Sequence, residues 1–276
     1  MAPGDLVPAE AAARSVLASP GHPTTSAGIG AGIARIAHLQ RTDPGGAWVA
    51  EHAGRVVGLA LALLREGVWG LSLLGVVEDM QGRGIGRSLL QRAWGYGRTA
   101  RGHLILSSES PAAMRSYANL GLELRPSVSA AGIVDRARIP GSDGVVDAGL
   151  DGIPVADAIG RAVRGAGHGR DLAVPLEANP ATRLLLFEDR AFALVRGDDV
   201  LLAAGRDEAA ATRVLWGALA GMAPGATASV SYLTAGQDWA VRTCLQAGLH
   251  LSPDGPLFTG GELGPMRPYL PSGAWL

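Results

Sequence analysis

Val76-Val77-Glu78-Asp79-Met80-Gln81-Gly82-Arg83-Gly84-Ile85-Gly86-Arg87-Ser88-Leu89-Leu90 is the stretch on which the reading of this chain turns. The apolar residues from Val68 to Val77 read as a strand. Ile85, Leu89 and Ala93, at four-residue spacing, read as one face of a helix running from Ile85 to Arg98. Between them the glycines let successive backbone N–H groups point one way at a helix N-terminus, an arrangement that binds anions. Arg83 and Arg87 agree with this, because a cation at a helix start is disfavoured by about 0.3–1 kcal/mol unless an anion sits there. A dinucleotide fingerprint would need a third glycine where Arg87 stands, and a nucleotide phosphate loop would need Gly-Lys-Ser/Thr. The bland alternative is a tight strand-to-helix turn with no ligand.

Working outward, Trp48–Glu51 reads as a strand, His52–Arg55 as a turn, Val56–Leu64 as a buried strand and Glu66-Gly67 as a second turn. Helical character covers 8–18 and 31–40, and Gly28-Ile29-Gly30-Ala31-Gly32 reads as a loop entering the second of these. Downstream, 104–106 is a short strand. Ser110 is a natural N-cap, Pro111 suits the first helical position, and Gly121 suits the helix end. Residues 137–154 are rich in Gly, Asp and Pro and read as a linker.

Beyond the linker a similar order returns: a helix near 155–164, a hairpin across 191–204, a helix near 207–220, a strand near 228–233 and a helix near 237–246. Gly121-Leu122-Glu123-Leu124-Arg125-Pro126 matches Gly248-Leu249-His250-Leu251-Ser252-Pro253, and the same register pairs Leu106 with Leu233, Ala113 with Ala240 and Arg115 with Arg242. This is the pattern of a duplicated domain. The two halves are expected to form one sheet-bearing unit, and the apolar tail Pro268–Leu276 to dock at the cleft between them.

The 276 residues suit two domains, and 47% hydrophobic against 18% charged residues is ample material for packed cores. A net charge of −1 gives no general pull toward nucleic acid or anionic membrane. All 24 basic residues are arginine, and there is one cysteine, Cys244, so no intrachain disulfide is available and a reducing, cytoplasmic setting is expected. Cys244 itself reads as a buried helix residue rather than a nucleophile. The first residues show no basic region followed by an apolar run, so no signal peptide is expected. Val56–Leu64, the longest apolar stretch, is too short to span a bilayer. The six histidines show no ligand spacing, so no metal is implied.

Gln81-Gly82-Arg83-Gly84-Ile85-Gly86 resembles the Gln/Arg-x-x-Gly-x-Gly/Ala signature of the GNAT acyltransferases. Tyr117-Ala118-Asn119-Leu120-Gly121-Leu122 resembles that family's Tyr-x-x-x-Gly-Phe pattern, with Leu122 in place of the aromatic. Glu78 stands where the family often has proline, and Ser110 where it often has asparagine at the helix start. The resemblance covers roughly Trp48 to Pro126. It implies an α/β (α+β) fold of two such domains, each a mixed, mostly antiparallel sheet flanked by helices. These are 1–136, which binds acyl-CoA, and 155–276, a degenerate copy in which Asp207-Glu208-Ala209-Ala210-Ala211-Thr212 replaces the glycine loop and sets carboxylates where phosphate would bind.

The resemblance further implies acetyl transfer from acetyl-CoA, as cosubstrate, to a primary amine. The pyrophosphate would rest on Gln81, Gly82, Arg83, Gly84, Ile85, Gly86 and Arg87, with Ser110 nearby. The strand through Val76 and Val77 would pair with the pantetheine arm, and a backbone N–H near those two would hold the oxyanion. Tyr117 would protonate the leaving thiolate. An aliphatic amine of pKa about 10.4 is mostly protonated at neutral pH, so direct attack needs a base. Glu109, Glu51 and Glu78 are the candidates, with Glu109 at the end of the short strand preferred and a water chain as the alternative. The expected acceptor is a small molecule, with neither nucleic acid nor membrane as partner, and the chain a monomer or homodimer. A non-catalytic acyl-CoA sensor, a partner-binding module and a protein acceptor remain open on the same fold.

Overall fold

The computed structural model describes residues 1–17, 25–141 and 143–276. Helices α1 (Leu6–Leu17) and α2 (Ser26–Thr42) precede a meander of β1 (Ala47–His52), β2 (Arg55–Arg65) and β3 (Val68–Val76). Helix α3 (Ile85–Gly97), strand β4 (Gly102–Leu106), helix α4 (Pro111–Ala118) and the long strand β5 (Glu123–Ile133) complete the first half. The second half contains β6 (Val145–Asp147), α5 (Ile153–Val163), α6 (Ala173–Ala178) and a second meander, β7 (Thr182–Phe187), β8 (Ala191–Arg196) and β9 (Asp199–Gly205). It ends with α7 (Glu208–Ala220), β10 (Thr227–Thr234), α8 (Asp238–Gln246), β11 (His250–Gly261) and β12 (Tyr269–Leu270).

The two turns of the first meander are set by local chemistry. Ala53-Gly54 and Glu66-Gly67 are two-residue loops with positive φ at both positions, which matches the twist of the strands they join. The segment 28–32 departs from expectation: it lies within α2, not in a loop. Thr25 caps that helix by accepting from the Gly28 amide, and Gly32 lets α1 approach, since a Cβ there would stand 3.1 Å from Glu10 Cγ. Residues 18–24, which include the end of the first expected helix, lie outside the described residues. Ser110 does occupy the N-cap position of α4, but its side chain makes no capping hydrogen bond, a second correction. The segment expected as a linker contains β6, which pairs with β7.

All the strands join one sheet. Its order is β1-β2-β3-β4-β11-β5-β10-β9-β8-β7-β6, with β12 added against β9. The long strands are exchanged. β4 pairs not with β5 of its own half but with β11 (Leu104 opposite Thr259), while β5 pairs with β11 on one side and β10 on the other. The repeat seen in sequence governs this: α4 and α8 begin at 111 and 238, β5 and β11 at 123 and 250, each 127 apart. Neither long strand is left as an edge, which removes the unpaired backbone that an isolated half would expose.

Three apolar clusters pack the layers. One lies under α3 and α4 and includes Trp69, Leu71, Leu89, Ile105, Tyr117 and Phe258. A second lies under α7 and α8. The third draws on both halves, joining Leu39, Leu61 and Leu73 to Leu172, Phe192, Leu202 and the tail residues Trp275 and Leu276. The tail is therefore part of the core. Trp275 and Leu276 are buried, and Arg164 donates to the carbonyl oxygens of both, at 3.2 and 2.7 Å. Gly70 has no room for a side chain because Leu276 Cδ1 occupies the space. A buried ionic cluster also ties the halves: Arg65 bridges Asp43 (2.9 Å) and Asp171 (2.7 Å), and His38 donates to Asp171 at 2.7 Å. No helix among the described residues is long and apolar enough to cross a membrane.

Candidate active site

β3 is paired on one side along its length and on the other for only part of it. Against β2 the ladder runs to Gly58–Val76, with an irregularity at Ser72. Against β4 the parallel pairing stops at Leu71–Ile105, although β3 continues to Val76. From Ser72 onward one edge of β3 is therefore open. The Val77 N–H donates to the Val57 carbonyl at 3.0 Å, and amides alternate sides along an antiparallel ladder. The N–H groups of Val76 and Leu74 consequently face the open edge. Consistent with this, the Val76 carbonyl accepts from Gln81 Nε2 at 3.0 Å. Of the two amides expected at this edge, Val76 is available and Val77 is already engaged. Leu74 was not anticipated; only the ladder's register reveals it.

The loop that follows ends in an open helix start. Gly82 and Gly84 have φ of 74° and 80°, the left-handed region that glycine adopts without strain, and a Cβ at either would meet nothing within 4 Å. The first intrahelical bond of α3 is Ser88 N–H to Gly84 O. Among the described residues no protein acceptor meets the N–H groups of Gly82, Arg83, Gly84, Ile85, Gly86 and Arg87. Gly84 at the N-cap has no side chain to supply one. Gln81 differs from expectation, because its amide is held by the Glu78 carbonyl at 3.2 Å and its side chain by Val76. Arg83 and Arg87 are exposed beside this start.

Tyr117 is 5% exposed on α4, in the same cluster as Leu71 and Ile105, the last β3–β4 pair. Phe258 of β11 meets its ring edge-on, with centroids 5.5 Å apart. Burial pushes the phenol up to about 12, so it carries its proton at any physiological pH. Glu109 and Ser110 lie exposed in the connection between β4 and α4, and Glu109 makes no ion pair among the described residues. Glu51 and Glu78 are exposed as well.

On the opposite face of β3 is a cavity of about 690 Å³. Its floor is Ile36, Leu61 and Leu73, its far wall Val200, Leu201 and Tyr232 from the second half, and its rim the tail residues Pro271–Trp275. Size and apolar lining with a few polar groups are those of a small-molecule site.

An open strand edge thus leads into a helix start whose amides can bind an anion, with a buried, proton-bearing phenol in the apolar cluster that holds the last β3–β4 pair. Residues 22–122 match the model of the acetyltransferase (GNAT) family. The match lies within the first half and spans the glycine loop and Tyr117. Among solved structures, a Pyrococcus horikoshii protein described as an acetyltransferase has a TM-score of 0.80 at 17% identity, covering 100% of this chain and 94% of that one. Eis1 from Mycobacterium abscessus has 0.55 at 14% (95% and 72%). A GCN5-related N-acetyltransferase from Anabaena variabilis has 0.56 at 10% (94% and 70%). At these identities the likeness is one of fold, and it extends over both halves. No curated protein sequence matches the chain.

Proposed function

We propose that the chain transfers an acetyl group from acetyl-CoA to a primary amine of a small acceptor, by direct attack. The observation that carries this is the contrast between two equivalent helix starts. At α3 six successive amides lack an acceptor among the described residues, whereas at α7 Asp207 caps the helix, accepting from the Ala210 amide at 2.9 Å. The second helix start is capped by the chain's own carboxylate, and the first can bind an anion such as a pyrophosphate. On this reading 155–276 is a degenerate copy that closes the acceptor side, and 1–136 is the catalytic domain.

The pantetheine arm would run along the open edge of β3, bonding to the outward groups of Leu74 and Val76. The Val76 amide would take the carbonyl oxygen as it gains charge. The acceptor nitrogen forms its bond to the carbonyl carbon, the C–S bond breaks, and the thiolate takes the Tyr117 proton. The amine's own proton leaves to water or to a carboxylate such as Glu109. The cavity beyond β3 is where the acceptor would lie, its amine reaching the slot where β3 leaves β4.

Calorimetric titration with acetyl-CoA, followed by thiol release in the presence of amines, tests this. Saturable binding lost in Gly84→Val, together with amine-dependent thiol release, is the expected result. Binding without any release would make the protein an acyl-CoA sensor instead.

A further inference from the structure

The cavity between the halves is lined by five charged side chains: Glu10, Arg14, Arg35, Arg196 and Asp199. Four of them pair off. Arg14 lies 3.3 Å from Glu10, and Arg196 lies 3.9 Å from Asp199. Arg35 has no carboxylate partner among the described residues, and residues 18–24 contain no Asp or Glu. Its Nε donates to Ser72 Oγ at 3.1 Å, and its Nη2 to Ser72 Oγ at 2.5 Å and to the Ser72 carbonyl. Among the described residues Nη1 has no hydrogen-bond partner, and Arg35 lines the cavity. The Trp275 ring lies 6.0 Å from the guanidinium carbon.

An uncompensated guanidinium in such a place is costly, because desolvation disfavours the charged form. Burial and then the nearby Arg196 push Arg35 down to about 10, still well above neutrality, so the charge persists. A structural brace accounts for the three contacts to Ser72. It does not account for an N–H face without a partner among the described residues and one excess positive charge in the cavity lining.

We propose that this cavity takes an acceptor bearing a carboxylate, which Arg35 Nη1 holds, so that the substrates are small amino acids or short ω-amino acids. The proposal rests on the acetyl-transfer reading for its use of the amine, but not for the binding itself. One free guanidinium face and a surplus of one charge suit a monoanion. Arg35 grips Ser72, the residue at which β3 leaves β4, so the anion sits beside the slot and only a short linker separates it from the amine. Ile36, Leu61 and Leu73 would receive an apolar side chain.

The test uses the whole chain and matched pairs: glycine, alanine, leucine, phenylalanine and 4-aminobutanoate, each with its primary amide. Calorimetry should show at least one acid binding ten-fold or more tighter than its amide. Arg35→Gln should abolish that preference while leaving the weak amide binding unchanged, and Arg35→Lys should restore part of it. Thermal melting confirms that the variants are folded, and the wild-type comparison stands without them. Equal binding of acids and amides, or no acid binding, overturns the proposal. Titrating acetyl-CoA separately distinguishes the two readings: loss of acetyl-CoA binding with acid preference intact sinks the enzyme, not the anion site.

Discussion

Phe258 of the second half holds the ring of Tyr117 of the first, edge-on at 72° with centroids 5.5 Å apart. Phe258 stands beside Ile105 because β11 is inserted between β4 and β5. The exchanged strand thus sets the phenol's position from outside its own domain. Tyr117→Phe should lower turnover by about 10²–10³-fold, the scale of one general acid, with acetyl-CoA affinity unchanged. Phe258→Leu shrinks a fully buried side chain and should cost about 1–3 kcal/mol of stability, and reduce kcat several-fold by freeing the ring. Steady-state kinetics with chemistry rate-limiting checks both, and unaltered turnover in Tyr117→Phe removes the tyrosine from the mechanism.

Gly84→Val should raise the Kd for acetyl-CoA by at least 100-fold. The penalty comes from conformation, not crowding: φ is 80° and nothing lies within 4 Å of a new Cβ. A valine forced into the left-handed region costs on the order of 1–3 kcal/mol, so the melting temperature should fall modestly as the loop relaxes. The companion change, Asp207→Ala, should lower stability by about 0.5–2 kcal/mol through loss of the cap and leave acetyl-CoA affinity alone.

Alkaline stability offers an unusually clean readout because the chain has no lysine. Tyr96, Tyr117, Tyr232 and Tyr269 are all pushed up to about 12, chiefly by burial. An unfolded tyrosine ionises near pH 10, so above that pH the unfolded state loses protons first and gains stability. This contribution to folding should be intact below pH 10 and should disappear as pH rises toward 12. Denaturant titrations from pH 8 to 11.5, with phenolate absorbance, would show it; flat stability across that window would contradict the burial of these rings.

Asp171→Ala should destabilise the protein by about 3–5 kcal/mol, because Arg65 and His38 would lose a buried carboxylate held at 2.7 Å. Burial alone would raise the Asp171 carboxyl, but hydrogen bonds from His38 and Arg65 bring it below its usual range. Its contribution is accordingly present above about pH 4 and is lost as pH falls. Denaturation midpoints at pH 7 and pH 3, compared between the wild type and the variant, should converge at the lower pH.

The sequence alone determined what depends on neighbours along the chain. The glycines of 82–86 had to let successive amides point one way, the dipeptides 53–54 and 66–67 had to turn, and the apolar spacing from Ile85 had to bury one helix face. Each of these is a local steric or periodic constraint. The 127-residue repeat likewise needed no coordinates. The glycines at 28, 30 and 32 misled, because they lie within α2, where Gly32 admits Glu10 of α1, a close approach that no local pattern encodes. Tertiary structure decided the rest. Which amides of β3 are free follows from the parity of its ladder with β2, so Leu74 and Val76 face the open edge while Val77 does not. That Phe258 supports Tyr117, and that Arg35 reaches Ser72 with no carboxylate partner among the described residues, depends on contacts between residues 141 and 37 positions apart respectively. Sequence spacing carries no information about such pairs, because burial and charge compensation are properties of the packed chain.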